Sequence, residues 1–475
     1  MTTRNRKTIA FMTAVVLTAS GCSGVGSGIS GEEEILLDMP VDDGFEALVD
    51  EPLEEIMLET STASQYEECV SEADSSAAAS AEIILPKEEG KILRILCRNE
   101  DVKNAFEGMY GAENLPEGIS VEFTVDINLT SDYEYADYLS GMTGSGGTNP
   151  VDIFVTEPDY MYSQINSELT LPLSEVGFAE HDTADMFGYT IELGTSEEGV
   201  LKAVSWQAEP GVFAYRRDIA EEVFGNSSPD YIAELMAQDY SLAAESLAEK
   251  GFYITGSTAE TYRVYAQNKT YPWIDKNGGI TVDAALKQWA EDMLSDVRNG
   301  FNPNYGLWTF EWCETFYGEN NVFGIYLPVW GTEGVIENGG SESGIWGICS
   351  PIKPYYWGGN FLCVSADTDN PVLCGEVLKA LTCNSEAMGK YVLESEDYFC
   401  NSRNAMKKIA DGYYSEFFSQ NTYEVYLEEA EKISAAYRTE ADTELDNSYT
   451  YVMQNYINDY ASYEDCEAEV LEGWK

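Results

Sequence analysis

Between Ala203 and Tyr215 the chain reads as strand, break and strand again, with no room for a helix between the two runs. Ala203-Val204-Ser205-Trp206-Gln207 leads into Glu209-Pro210-Gly211 and then into Val212-Phe213-Ala214-Tyr215. A neighbouring parallel strand needs a crossover of roughly a dozen residues or more. The pattern therefore suits a crossing between two lobes rather than a turn within one sheet. Upstream, Ile92 to Cys97 reads as a buried strand, a helix follows over about 101–110, and Ile119, Val121, Phe123 and Val125 alternate as a strand with one covered face. A Tyr-rich helix over about 131–142 and the strand Val151 to Val155 complete a strand–helix–strand–helix–strand series, which argues a doubly wound parallel sheet. The Gly-rich run from Gly144 to Pro150 precedes a strand, so it is not a phosphate loop.

Downstream, helices are expected at about 217–224, 229–250, 260–268 and 281–299, with strands at Val322 to Tyr326, Ile345 to Ser350 and Phe361 to Ser365. The remainder to Lys475 reads as mostly helical, and no internal repeat is found. At 475 residues the chain exceeds a single core and suggests two or three units.

The N-terminus carries its own signal. Arg4, Arg6 and Lys7 precede an apolar stretch from Ile9 to Thr18, then Ala19-Ser20-Gly21-Cys22. The stretch is shorter than the roughly 20 residues a spanning helix needs and reads as an export signal. Small residues before a cysteine resemble the lipobox of bacterial lipoproteins, which implies acylation of Cys22. Ala19 stands where leucine is usual. From 31 to 90 nineteen acidic residues face one lysine, Lys87, and Ser/Ala runs add low complexity, so this stretch is expected to be a self-repelling tether.

The formal charge of −58 repels nucleic acid and anionic headgroups, which excludes both as direct partners. His181 is the only histidine and the ten cysteines show no CxxC spacing, so no zinc site and no cofactor is expected. Most cysteines read as small buried hydrophobes; Cys349/Cys363 and Cys374/Cys383 are the pairs whose spacing allows a disulfide. GxSxG and HExxH are both absent, so serine-hydrolase and zinc-hydrolase mechanisms have no support.

Four stretches in order, Pro150 to Tyr160, Leu201 to Ile219, Asn321 to Trp330 and Tyr355 to Cys363, resemble those of extracellular solute-binding proteins of carbohydrate importers, the maltose-binding-like class. The resemblance covers about 91–475. It implies a periplasmic-binding-protein-like fold, two doubly wound α/β lobes joined by a multi-strand hinge. The expected order is a lipoprotein signal over 1–22, a tether over 23–90, lobe 1 over 91–208, lobe 2 over 209–355, a return to lobe 1 over 356–395, and C-terminal helices over 396–475 spanning both lobes.

The same resemblance implies no enzymatic activity and a monomer that holds a small ligand, a sugar, for the permease subunits of an ABC transporter at the outer face of the membrane. By its pattern, Glu157, Asp159 and Tyr160 supply polar contacts from lobe 1, and Arg98, Asn99 and Glu100 lie in a second loop. Trp206 and Gln207 lie just before the first crossing, Trp330 forms a platform of lobe 2, and Tyr356 and Trp357 precede the return. Trp273, Trp308 and Trp312 join them from loop positions beside Pro, Gly or acidic residues. Flat rings suit the C–H face of a pyranose, and carboxylates and amides suit its hydroxyl rim. Trp289, inside a helix, and Trp346, inside a strand, are assigned to the core. Glu157, Asp159 and Glu100 have an alternative role as helix caps. Two other functions remain open at this point: a surface glycosidase built on paired carboxylates, or the same fold binding a peptide, a polyamine or a metal.

Overall fold

The computed structural model describes residues 90–125, 151–317, 320–337, 341–395 and 398–474. The export signal, Cys22, the acidic tether, the 131–142 helix and the Gly-rich loop lie outside the described residues.

Among the described residues, eight strands form two sheets. The first sheet is five-stranded, in the order β2 (Ser120–Val125), β1 (Ile92–Cys97), β3 (Ile153–Thr156), β8 (Phe361–Val364) and β4 (Ala203–Ser205). The second is three-stranded, with β5 (Gly211–Arg216) between β6 (Gly324–Pro328) and β7 (Trp346–Cys349). β1 pairs in parallel with β2 and β3, as the alternation of elements predicts. β8 runs against β3 and β4, and β5 runs against β6 and β7. Each sheet thus holds one reversed strand. In both cases it is the strand delivered from the other sheet, which enters from the hinge side and cannot follow the winding of its neighbours.

Burial follows position. β3 and β5, covered on both faces, are buried throughout, whereas β2 at a sheet edge alternates between exposed and half-buried. Around the first sheet pack the helices Asp101–Met109, Pro371–Thr382 and Ser385–Ser395. Around the second pack Arg217–Phe224, Pro229–Gln238 and Thr422–Ala430. The helix expected over 229–250 breaks at Asp239, whose φ of −131° and ψ of 34° are not helical, and resumes as Tyr240–Glu249. The helices Thr258–Ala266, Ala284–Arg298 and Asp442–Ile457 pack on one another. Trp289 and Trp346 are fully buried in the core, as expected. No helix among the described residues is long and apolar enough to cross a membrane.

The lobes are joined by paired crossing segments. Residues 206–211 run from β4 to β5 and are bonded on both sides. Gly211 N donates to Tyr355 O (2.7 Å) and Trp357 N to Glu209 O (3.1 Å); Ala208 N donates to Phe399 O (2.9 Å) and Asn401 N to Trp206 O (2.7 Å). Gly211 is required by this approach, because a Cβ there would lie 2.1 Å from the Tyr355 ring.

Neither disulfide that spacing allowed is formed: all eight described cysteines are free. Cys349 lies in β7 and Cys363 in β8, strands of different sheets. Cys374 sits in the helix Pro371–Thr382 and Cys383 is its C-cap. Two and a half turns of helix hold those two apart by about 13 Å at about 1.5 Å per residue, beyond the reach of a disulfide. The thiols are instead packing groups: burial raises the Cys97 and Cys400 pKa values to about 12.

Candidate functional site

β1 and β3 are parallel, so the turns after them emerge at the same sheet edge, where open α/β sheets place their ligand crevice. A cluster of charged and aromatic side chains is built there. After β1, Arg98 lies over the Tyr160 ring at 5.2 Å and within 3.8 Å of the Glu157 carboxylate. After β3, Glu157-Pro158-Asp159-Tyr160 forms a turn into the short helix Met161–Ile165. Neither acidic residue caps that helix; Tyr160 holds the N-cap position without a side-chain bond. Burial raises the Glu157 pKa, with Arg98 opposing.

A second cluster comes from the three-stranded lobe and the return crossing, and it is aromatic. Trp308 lies nearly parallel to Trp330, with ring centroids 6.1 Å apart and an angle of 24°. Trp357 meets both edge-on, at 5.9 Å from Trp308 and 5.5 Å from Trp330. Trp330 Nε1 donates to Trp357 O at 3.0 Å, which ties the platform to the crossing strand. Gly358, with φ of 93°, lets that strand pass, since a Cβ would sit 3.3 Å from the Trp330 indole nitrogen. Beneath the cluster Trp312 packs edge-on against Trp308 at 4.8 Å and donates from Nε1 to Glu260 Oε2 at 2.7 Å. Burial pushes the Glu260 pKa up to about 8 against that bond.

The two clusters touch through Arg263. Its guanidinium makes a two-pronged bond to Asp159, at 3.0 and 2.6 Å, and lies 4.9 Å over the Trp357 ring. Burial works against ionisation of Asp159, but the charge and hydrogen bonds of Arg263 prevail and hold its pKa at about 2. Arg438 donates to Pro158 O and to the Tyr356 hydroxyl, the latter at 3.1 Å, and Thr443 donates to Asp159 O.

At the hinge, Gln207 Oε1 accepts from the backbone and side chain of Asn360 (2.9 and 3.0 Å), and Asn360 Nδ2 also reaches Asp101 at 3.3 Å. Glu209 is 2% exposed and its Oε2 has no protein partner. Burial raises its pKa well above the usual carboxylate range, opposed by a backbone hydrogen bond from Trp330.

Over residues 118–394, more than half of its length, the chain matches the bacterial extracellular solute-binding protein family. It belongs to that family. The solute-binding protein superposes on the crystal structure of an extracellular solute-binding protein of family 1 with a TM-score of 0.70 at 15% identity, covering 81% of this chain and 98% of that one. It also resembles the galacto-N-biose/lacto-N-biose I-binding protein of Bifidobacterium longum in complex with lacto-N-biose (TM-score 0.63, 13% identity, 81% and 96% covered). A third likeness is to a B. animalis subsp. lactis transporter-associated binding protein in complex with β-1,6-galactobiose (TM-score 0.59, 13% identity, 81% and 96% covered). At such identities the likeness establishes the two-lobed fold. No curated protein sequence matches the chain.

Within this solute-binding protein, Trp308, Trp312, Trp330 and Trp357 come together, and Glu157, Asp159 and Tyr160 gather around Arg98 and Arg263. Trp206 does not join them. It is 1% exposed, makes no ring contact with the cluster, and its indole nitrogen has no partner. Trp273 lies in the lobe interior, donating to Asp446 at 2.7 Å. Tyr356 is buried and stacked on Tyr189 at 5.5 Å. Asn99 accepts from Asp101 N at 3.1 Å, and Glu100 is the exposed N-cap of the following helix, without a side-chain bond. A separate depression lined by Glu180, Met186, Ile191 and Arg403 shares no residue with either cluster. Sequence reading missed Arg263, Arg438 and Glu209. Glu209 alone had a local signal, an acidic residue inside a strand-to-strand crossing.

Proposed function

We propose that this solute-binding protein captures a neutral sugar or short oligosaccharide in the cleft between its lobes and delivers it to the permease of an ABC transporter. The observation that carries the reading is the clustering of Trp330, Trp357 and Trp308 beside charge-paired polar groups, with Arg263 both over Trp357 and bonded to Asp159. Indoles cover the C–H face of a pyranose, and carboxylates or guanidinium groups bond its hydroxyls. Arg98 pairs with Glu157 and Arg263 with Asp159, two charges against two, so these pairs favour a guest without net charge. Relatives of the same fold crystallised with lacto-N-biose, β-1,6-galactobiose and maltotetraose lend support.

A ligand touching both walls binds the closed form better and shifts the population towards it. A micromolar dissociation constant corresponds to roughly −8 kcal/mol, within reach of stacked rings and several charge-assisted bonds. The protein acts as a monomer without catalysis, tethered by a lipid on Cys22, with the lobe boundaries near 208/209 and 355/356. Of the expected contacts, we assign Glu157, Asp159, Tyr160, Trp330 and Trp357 to the ligand, with Glu209 at the hinge. A thermal-shift screen against a carbohydrate panel tests the reading, because a ligand that binds only the folded state raises the midpoint. No shift with any sugar would refute it.

A further inference from the structure

Both platforms of the cleft are covered by the protein itself: Trp308 lies along Trp330, and Arg263 lies over Trp357. The backbone of Trp308 is also in an unusual place. Its φ of 64° is in the left-handed region, where a bulky side chain is strained. The turn that carries it is anchored at its two ends, by Asn304 and Tyr305 before it and by Thr309, the N-cap of the helix Phe310–Glu314, after it. Asn304 bonds to Gln454 (2.9 Å), and Tyr305 N donates to Gly256 O (3.0 Å). Beyond them, among the described residues, the backbone N–H groups of Gly306, Leu307 and Trp308 find no acceptor. Thr309 donates to Gly306 O from its hydroxyl (2.8 Å) and its N–H (3.2 Å) and accepts from Trp312 N (3.4 Å) and Cys313 N (3.0 Å), while Gly306, Thr309 and Phe310 are exposed.

We propose that Trp308 is an internal stand-in for the ligand. In the closed form it occupies the face of Trp330 on which a sugar ring would stack, and it swings out on the 306–309 turn to admit one. The proposal rests on the sugar-binding reading of the same site. Three observations converge on it: the near-parallel indoles, the strained residue that movement would release, and a turn with few bonds to break. The stand-in keeps apolar ring surface out of water while the lobes are together. It also lowers apparent affinity by the fraction of molecules whose platform is covered.

The test labels the full chain with 5-fluorotryptophan and assigns Trp308 by the resonance lost in W308G. Without sugar, Trp308 is expected to show microsecond-to-millisecond exchange while the core residues Trp289 and Trp346 stay sharp. A Trp308 line as static as theirs would overturn the proposal. Lacto-N-biose, β-1,6-galactobiose and maltotetraose are then titrated. A sugar that binds the unmodified chain is expected to bind W308G severalfold more tightly, since glycine accepts the left-handed backbone and uncovers Trp330. Weaker binding by W308G would make Trp308 an ordinary wall and overturn the stand-in. If Trp308 exchanges but none of the three sugars binds, the mobile cover is upheld and the sugar reading is what fails.

Discussion

The two walls of the cleft are made of different materials. The five-stranded lobe offers Arg98, Glu157, Asp159 and Tyr160 on turns that follow parallel strands, and the three-stranded lobe with the return crossing offers tryptophan on tryptophan. An apolar wall gives affinity without direction, through the ring area it removes from water. A wall of paired charges gives little net affinity, since each group gives up existing bonds to make new ones, but it fixes orientation. The aromatic side should therefore set how tightly a sugar is held, and the polar side which sugar is held and when the lobes meet.

That division can be broken experimentally. The largest effect is expected on the aromatic wall: Trp330→Ala should weaken sugar binding by about 2 kcal/mol or more, roughly thirtyfold. Calorimetric titration reads this, with circular dichroism confirming the fold. Loss of less than threefold would move the affinity elsewhere.

Next comes the support beneath that wall. Glu260 is fully buried with a pKa of about 8 against a usual 4.5, so the folded state holds its proton more tightly than the unfolded chain. Its contribution is present in full below about pH 4.5 and is lost as pH rises to about 8, after which it is flat. Glu260→Gln should remove this decline in midpoint between pH 5 and 8. An unchanged pH profile would show that Glu260 is ionised in place.

The polar wall should respond differently. Asp159→Asn should loosen the contact between the lobes by on the order of 1 kcal/mol, discounted because both partners are partly exposed. Small-angle scattering should then show a larger radius of gyration without sugar. Asp159 has a pKa of about 2 against a usual 3.8, so its contribution is complete above about pH 4 and is lost as pH falls through 2. Scattering between pH 4 and 8 should therefore be constant as far as this pair is concerned. The smallest effect is expected from reductant: with the described thiols all free, dithiothreitol should leave the melting midpoint where it is. A fall would reveal a disulfide.

How legible the two walls were also differs. The turns after β1 and β3 announce themselves by short apolar runs ending in polar residues, and Trp330 follows a strand in the same way. Local pattern and family resemblance were enough for these. Trp206 is likewise a tryptophan at a strand end before a break, yet its ring points into the hinge core. Sequence gives the element boundary but not the direction of a side chain in a crossing segment. Arg263 reads as an ordinary helical arginine because its partner Asp159 is 104 residues away and on the other lobe. The reversed strands β5 and β8 were hidden for the same reason: strand direction depends on which sheet a segment joins, and that choice is tertiary.

The most direct test is calorimetric titration of the folded chain and of Trp330→Ala with a panel of neutral mono- and oligosaccharides. The account predicts saturable one-to-one binding of at least one sugar, lost or reduced by roughly thirtyfold in the variant. Equal binding by both proteins, or no binding of any sugar by the unmodified chain, would contradict it.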